Sequence, residues 1–174
     1  MEDDKIKPAG KRPSWDEYWM KQAEVVASRG KCMRRNYGAV ITTLDNVLIS
    51  QGYTGPPRGM PHCEQLGKCW RKELNIPSGE RYELCRSVHA EVNTVINAAR
   101  NGARIIPQGS KLYLYGFSTE DGKRIDAAPC EMCKRVIINA GVVEIYQSLA
   151  NGAILKQKIS DVMWNDIKNN EIIG

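Results

Sequence analysis

From residue 14 onward the chain alternates two hydrophobic periods. Trp15, Tyr18, Trp19, Ala23 and Val26 recur at helical spacing. Ser14 and Glu17 precede and open that stripe at the offset of a capping box, and Gly30 supplies a stop, so a helix is expected to about residue 28. Residues 38–43 and 47–52 are short, β-branched runs separated by Asp45-Asn46, which predicts an antiparallel hairpin. From 86 to 100 the period turns helical again through Val88, Val92, Val95, Ile96 and Ala99, and Asn101-Gly102 ends it. Residues 110–116 predict a strand, 130–140 a helix with Pro129 at its start and Gly141 at its end, and 142–146 a further strand. Ile159, Val162, Met163 and Ile167 fall in register, so a last helix is expected from 154 to about 168. Strands alternating with helices predict an α/β sandwich.

The stretches without a period also carry information. Residues 1–13 are polar and charged with two prolines and are expected to form a flexible arm, leaving 14–174 as a single domain. The span 52–61, with three glycines and three prolines, reads as a loop leaving a strand end, a common place for ligand contacts. Residues 62–85 hold three cysteines and turn signals at Gly67 and Pro77-Ser78-Gly79. They are expected to be a Cys-rich insertion with no core of its own, a kind of segment that needs a staple.

With 174 residues and 42% hydrophobic content, the chain suits one domain with a proper core. It has no run of eighteen apolar residues, so no membrane span is expected. The opening Met1-Glu2-Asp3-Asp4-Lys5 lacks the apolar region of an export signal, and a cytoplasmic location is expected. In that compartment six cysteines point to thiols and metal rather than disulfides. The net charge of +5 is compatible with an anionic substrate. Basic residues are interleaved with acidic ones and form no arginine-rich block, so nucleic acid is not the expected partner.

Candidate chemistry concentrates in two segments, Val88-His89-Ala90-Glu91-Val92-Asn93 and Ala128-Pro129-Cys130-Glu131-Met132-Cys133. An imidazole and two thiolates are ligands that zinc prefers, and three of them leave the fourth tetrahedral position open, as in catalytic sites. His89, Cys130 and Cys133 are the candidate ligands. Glu91 sits too close in sequence to His89 to be a comfortable fourth ligand, but a carboxylate there can shuttle protons to and from a metal-bound water. Either motif alone has a blander reading, as a redox or structural Cys pair or as a packed histidine. Both together, in this order and with Pro129 before Cys130, favour the catalytic one.

The pattern resembles the paired motifs of the cytidine/deoxycytidylate deaminase superfamily. Lys31-Cys32-Met33-Arg34-Arg35-Asn36-Tyr37-Gly38-Ala39-Val40-Ile41 and Gly52-Tyr53-Thr54-Gly55-Pro56-Pro57-Arg58-Gly59 are similar to the N-terminal blocks of deoxycytidylate (dCMP) deaminases. The resemblance implies a cytidine-deaminase-like three-layer α/β/α sandwich with a mixed sheet of about five strands. It also implies a catalytic Zn2+ and hydrolytic deamination of a cytosine nucleotide, dCMP to dUMP plus ammonia.

Cys32, Cys63, Cys69 and Cys85 make four candidate thiols for a closed tetrahedral site, His62 could replace one of them, and the blander reading is that some are ordinary buried thiols. The same resemblance implies a second, structural Zn2+ there. It makes Thr54, where the family often has Asn, and the backbone of Ala90 candidate substrate contacts, and it implies a homo-oligomer, a dimer or a hexamer. Arg58 is a further candidate contact, since a guanidinium can hold a phosphate bidentately. Residues 116–128 form a longer and more charged link than the family usually has, next to the Cys130 helix. The alternatives are a deaminase of another free or nucleic-acid base, and an inactive zinc-stabilised module that binds a nucleotide.

Overall fold

The structure is a computed structural model that describes residues 12–102 and 109–160. Most of the expected N-terminal arm and residues 161–174 lie outside the described residues.

A mixed five-stranded sheet has the order β2-β1-β3-β4-β5. Its strands are β1 (Arg35–Thr42), β2 (Leu48–Tyr53), β3 (Ser110–Ser118), β4 (Val142–Ser148) and β5 (Ile154–Lys158). β1 and β2 form the expected antiparallel hairpin, β1 pairs antiparallel with β3, and β3 and β4 run parallel across helix α5 (Glu131–Asn139). Helix α1 (Trp15–Ala27) covers one face, and α4 (Ala90–Arg100) joins α5 on the other.

Strand alternation sorts the side chains between these two layers. Ala39, Ile41, Leu112, Leu114 and Ile145 face α4 and α5 around Ala90 and Ile137. Val40, Tyr113 and Tyr146 face α1 around Trp19, Met20, Ala23 and Ala27. The result is the three-layer α/β/α sandwich expected from the sequence. The capping box at α1 is present, with Glu17 N–H donating to Ser14 Oγ and the Glu17 carboxylate accepting from Ser14 N–H.

Two glycines allow the layers to close. A Cβ on Gly38 would lie 2.2 Å from Ala23 O on α1, and one on Gly52 would lie 2.5 Å from Thr94 N on α4. Three further contacts fasten α4 to β2. Ser50 Oγ donates to Thr94 O at 2.8 Å, Asn93 Nδ2 to Tyr53 O at 2.8 Å, and Asn97 Nδ2 to Gln51 O at 2.8 Å.

Residues 62–85 fold into two single-turn helices, α2 (Cys63–Leu66) and α3 (Trp70–Glu73), and a 3-10 turn at Tyr82–Leu84. The segment 116–128 doubles back on β3, with Ser118 N–H donating to Lys123 O and Ile125 N–H to Gly116 O. Arg124 ties it to the β4–β5 turn through Gly152 O and Ala153 O.

One expectation is corrected. Residues 154–158 form β5, paired antiparallel with β4, where a helix was expected from Ile154. The helical register of Ile159 and the residues after it had been extended backward over an edge strand. The Asn151-Gly152 pair, a strong hairpin signal, makes the turn before it, with Gly152 at φ 93°.

Candidate active site

The site forms where the N-termini of α4 and α5 meet. His89 is the N-cap of α4, in extended conformation at φ −68° and ψ 153°, and Cys130 is the N-cap of α5 at φ −71° and ψ 165°. Cys133 falls in the first turn of α5 and is fully buried. The chain reaches His89 through a short bridge in which Val88 N–H donates to Gly55 O at 2.8 Å and Gly55 N–H to Val88 O at 3.2 Å. That bridge holds residue 88 extended, so α4 starts at Ala90 rather than near 86. Helix N-termini carry partial positive charge, which favours thiolates there.

His89 Nδ1 lies 3.5 Å from Cys130 Sγ and 3.3 Å from Cys133 Sγ. Zn–S bonds of ~2.3 Å and Zn–N bonds of ~2.0 Å at tetrahedral angles put N and S ligands about 3.5 Å apart. The trio therefore fits Zn2+ in both donor type and spacing. Among the described residues it is the one group whose donor atoms all lie within 4.8 Å of one another.

Glu91 stands on the second residue of α4 and is 4% exposed. Burial pushes its carboxyl above the usual carboxylate range, against the opposing pull of His89. The two thiols share one proton unequally. Cys130 is pushed down to about 4, first by the hydrogen bond with Cys133 and also by His89, while Cys133 is pushed up by the same bond and by burial. The hydrogen bond with Cys130 in turn raises His89.

A cleft of about 100 Å³ opens on His89, Glu91 and Cys130, and its other walls include Tyr37, Thr54, Tyr82 and Ala128. Thr54 is buried, and its hydroxyl accepts from Tyr37 N–H at 3.1 Å. Ala90 buries its methyl in the apolar cluster under α4. Its N–H, one of the first four of the helix, has no acceptor within the helix. Arg58 does not line this cleft. It lines a neighbouring cavity of about 660 Å³ with Arg29, Lys31, His62 and Arg100, and donates to Asn97 Oδ1 at 2.7 Å. Of the segment 116–128, Ala128 is the residue that reaches the cleft.

Cys32, Cys63, Cys69 and Cys85 all line the same cleft, and all are free thiols. Burial raises Cys63, and the other three thiols add to that shift. Sequence reasoning passed over Tyr37, Arg71 and Tyr82. The Tyr82 ring meets the His89 imidazole edge-on, with centroids 4.6 Å apart. Nothing local marks these residues: Arg71 is buried, while Tyr37 on β1 and Tyr82 in the insertion are half-buried walls of the cleft.

Fold and site together define an α/β sandwich with a zinc-type His-Cys-Cys centre and a buried carboxylate beside it. Residues 13–149 match the family model described as the cytidine and deoxycytidylate deaminase zinc-binding region, and the chain belongs to that family. It is 33% identical over 142 residues to the deoxycytidylate deaminase of Schizosaccharomyces pombe and 35% identical over 137 to that of Saccharomyces cerevisiae. Those matches cover 82% and 79% of this chain but 39% and 38% of the yeast proteins, so the chain spans about two fifths of their length. ComE operon protein 2 of Bacillus subtilis is 30% identical over 173 residues, covering 92% of this chain and 79% of that protein. The fold is shared with the dCMP deaminase of cyanophage S-TIM5, solved in complex with dCMP and dUMP. The two match at a TM-score of 0.53 and 23% identity, over 77% of this chain and 80% of that one.

Proposed function

We propose that the chain hydrolyses the 4-amino group of a cytosine nucleotide, converting dCMP to dUMP and ammonia. The observation that carries this reading is a buried Glu91 that shares one cleft with His89 and Cys130, with Cys133 buried behind them in the same trio. Held by those three side chains, Zn2+ would supply the Lewis acidity that makes a water nucleophilic near neutral pH. Glu91 manages the protons. Its buried carboxylate takes one as the water oxygen adds to C4 of the base. It passes that proton to N3, then takes the proton of the new C4 hydroxyl and gives it to the 4-amino nitrogen, which leaves as ammonia as the C4 carbonyl forms. A carboxyl whose affinity for protons is raised by burial suits both halves of that exchange. The N–H of Ala90 and the wall at Thr54 are the proposed contacts for base and sugar.

Ammonia release from a panel of cytidine, deoxycytidine, CMP, dCMP, dCTP and adenosine compounds tests the reading, with zinc measured on the same sample. Turnover of dCMP far above the nucleosides is expected. No turnover of any cytosine compound by zinc-loaded protein would favour an inactive nucleotide-binding module, and preference for adenosine would favour another base.

A second Zn2+ held by Cys32, Cys63, Cys69 and Cys85 belongs to the same proposal, supported by their shared cleft and by the effect of the other three thiols on Cys63, while no three of the four sulfurs lie within 4.8 Å of one another in this structure. Two zinc ions per chain are expected, and a ratio near one removes the second site. The reading also includes a cytoplasmic homo-oligomer, a dimer or hexamer; sedimentation at monomer mass would overturn the assembly. Among the described residues no helix is long and apolar enough to cross a membrane.

A further inference from the structure

Three guanidinium groups converge on the outer wall of the Glu91 cleft, at three successive residues of the insertion. Arg34 Nη1 donates to Ile76 O at 3.5 Å, Arg71 Nη2 to Pro77 O at 2.6 Å, and Arg35 Nη1 to Ser78 Oγ at 3.2 Å. All three arginines line the cleft, and its one carboxylate is Glu91, at the zinc-type centre. Glu83 lies near enough for Arg71 to lower its pKa, but it pairs with Arg81 and stands outside the lining. Three like charges on one wall make it a favourable place for an anionic group of a ligand.

Arg71 is the most constrained of the three. It is 7% exposed although it sits on a single-turn helix of the insertion. Its Nε is buried and has no hydrogen-bond partner. A buried guanidinium with an unspent donor is costly, and here that cost falls on a group that lines the cleft. Its guanidinium carbon lies over the Tyr82 ring, 4.6 Å from the centroid, and the same ring meets the His89 imidazole edge-on. Tyr82 therefore touches both the guanidinium and the proposed zinc-binding imidazole.

We propose that Arg71 is the specificity residue of this site: its guanidinium receives the 5′-phosphate of the substrate, with Arg34 and Arg35 completing a cationic wall. The insertion then does more than close over the cleft, since it is what makes the site select a nucleotide over a nucleoside. This rests on the reading of the cleft as a cytosine-nucleotide site. It also moves the phosphate contact away from Arg58, which faces the neighbouring cavity.

Every protein in the test carries Glu91→Gln, which slows turnover so that binding is read at equilibrium. Calorimetry follows dCMP and deoxycytidine on zinc-loaded protein with Arg71 wild-type, Arg71→Gln or Arg71→Lys, and zinc content is measured on each. Removing a hydrogen-bonded charge contact is expected to weaken dCMP by roughly 10- to 150-fold. Deoxycytidine and zinc content should stay as with Arg71 intact, and Arg71→Lys, which keeps the charge but not the planar fork, should fall between. Equal weakening of both ligands, an unchanged preference, or loss of zinc in both variants would overturn the assignment, the last by making Arg71 a partner of the thiols.

Should Arg71→Gln fail to fold, the Nε–H resonance of Arg71 in 15N-labelled Glu91→Gln protein gives the answer, identified by its absence in Arg71→Lys. It is expected to move with dCMP and stay still with deoxycytidine; no movement with dCMP overturns the proposal. Protein with Arg71 intact that binds both ligands equally would sink this inference and leave the cytosine reading standing. Protein with Arg71 intact that binds neither removes both.

Discussion

Substituting Gly52 by Ala should damage the metal centre without touching it. The new Cβ would lie 2.5 Å from Thr94 N, 2.7 Å from Thr94 Oγ1 and 2.8 Å from Asn93 C. Ordinary contact begins at 3.4 Å, so α4 has to retreat from β2 by about 1 Å. Two of the three close atoms are backbone, so no rotamer change relieves them. The retreat strains the buried Ser50–Thr94 bond and the 3.3 Å bond from Thr94 Oγ1 to Ala39 O. Overpacking of this kind costs about 1–3 kcal/mol. At about 2–4 °C per kcal/mol for a chain of this size, the expected drop in Tm is roughly 2–12 °C.

The centre suffers separately, because α4 carries His89 and Glu91 whereas α5 carries both cysteines. Metal–ligand distances tolerate only about 0.2 Å, so an α4 shift should lower zinc affinity by about 10-fold or more. Gly38→Ala is the control. Its Cβ would lie 2.2 Å from Ala23 O and 2.3 Å from Ala27 N, against α1 on the opposite face. It should cost at least as much stability and leave zinc affinity near wild type. Thermal melts combined with competition against a chromophoric chelator separate the two effects. Equal losses of zinc affinity at matched stability, or a destabilised Gly52→Ala with wild-type zinc affinity, would refute the idea that the seating of α4 on β2 sets the centre.

Three other outcomes follow from the same structure. Arg124→Met removes two carbonyl contacts and the guanidinium over Tyr115, 5.2 Å from its centroid. It should cost about 1–2 kcal/mol in urea unfolding while kcat/KM changes little, and a large kcat/KM loss would show that the segment 116–128 shapes the cleft through more than Ala128. Tyr113 is fully buried, its hydroxyl donates to Asp16 Oδ1, and burial first and Asp16 second push its pKa up. The neutral phenol is favoured in the fold, so stability should fall as pH rises past about 10, where the unfolded phenol ionises; Tyr113→Phe should lose less than wild type between pH 9 and 11, and equal losses contradict the assignment. Cys32→Ser should remove one zinc per chain and leave the other in place, and an unchanged ratio would exclude Cys32 as a ligand of the second site.

The convergence of His89, Cys130 and Cys133 was legible because each motif is local, placed by its own helix N-terminus, with Pro129 and the short spacings pointing to those ends. The α1 cap and the β1–β2 hairpin were legible for the same reason, since neighbouring residues decide them. What could not be read depends on distant partners. The start of α4 moves to Ala90 because Gly55 captures Val88 in a bridge. β5 exists through pairing with β4, and its polar composition gave little strand signal, although Asn151-Gly152 did. Arg58 and Arg71 are indistinguishable in sequence, each a basic residue in an aperiodic stretch. Only closure of the insertion buries Arg71 beside the site, while Arg58 settles against Asn97 facing the neighbouring cavity.

The central claim is that Glu91 moves protons for a zinc centre held by His89, Cys130 and Cys133. It is tested most directly by comparing Glu91→Gln with wild-type protein for zinc content and for ammonia release from dCMP. The expected result is unchanged zinc and a rate lower by about 100-fold or more. A Glu91→Gln protein that keeps its zinc and turns over dCMP near the wild-type rate would contradict the account.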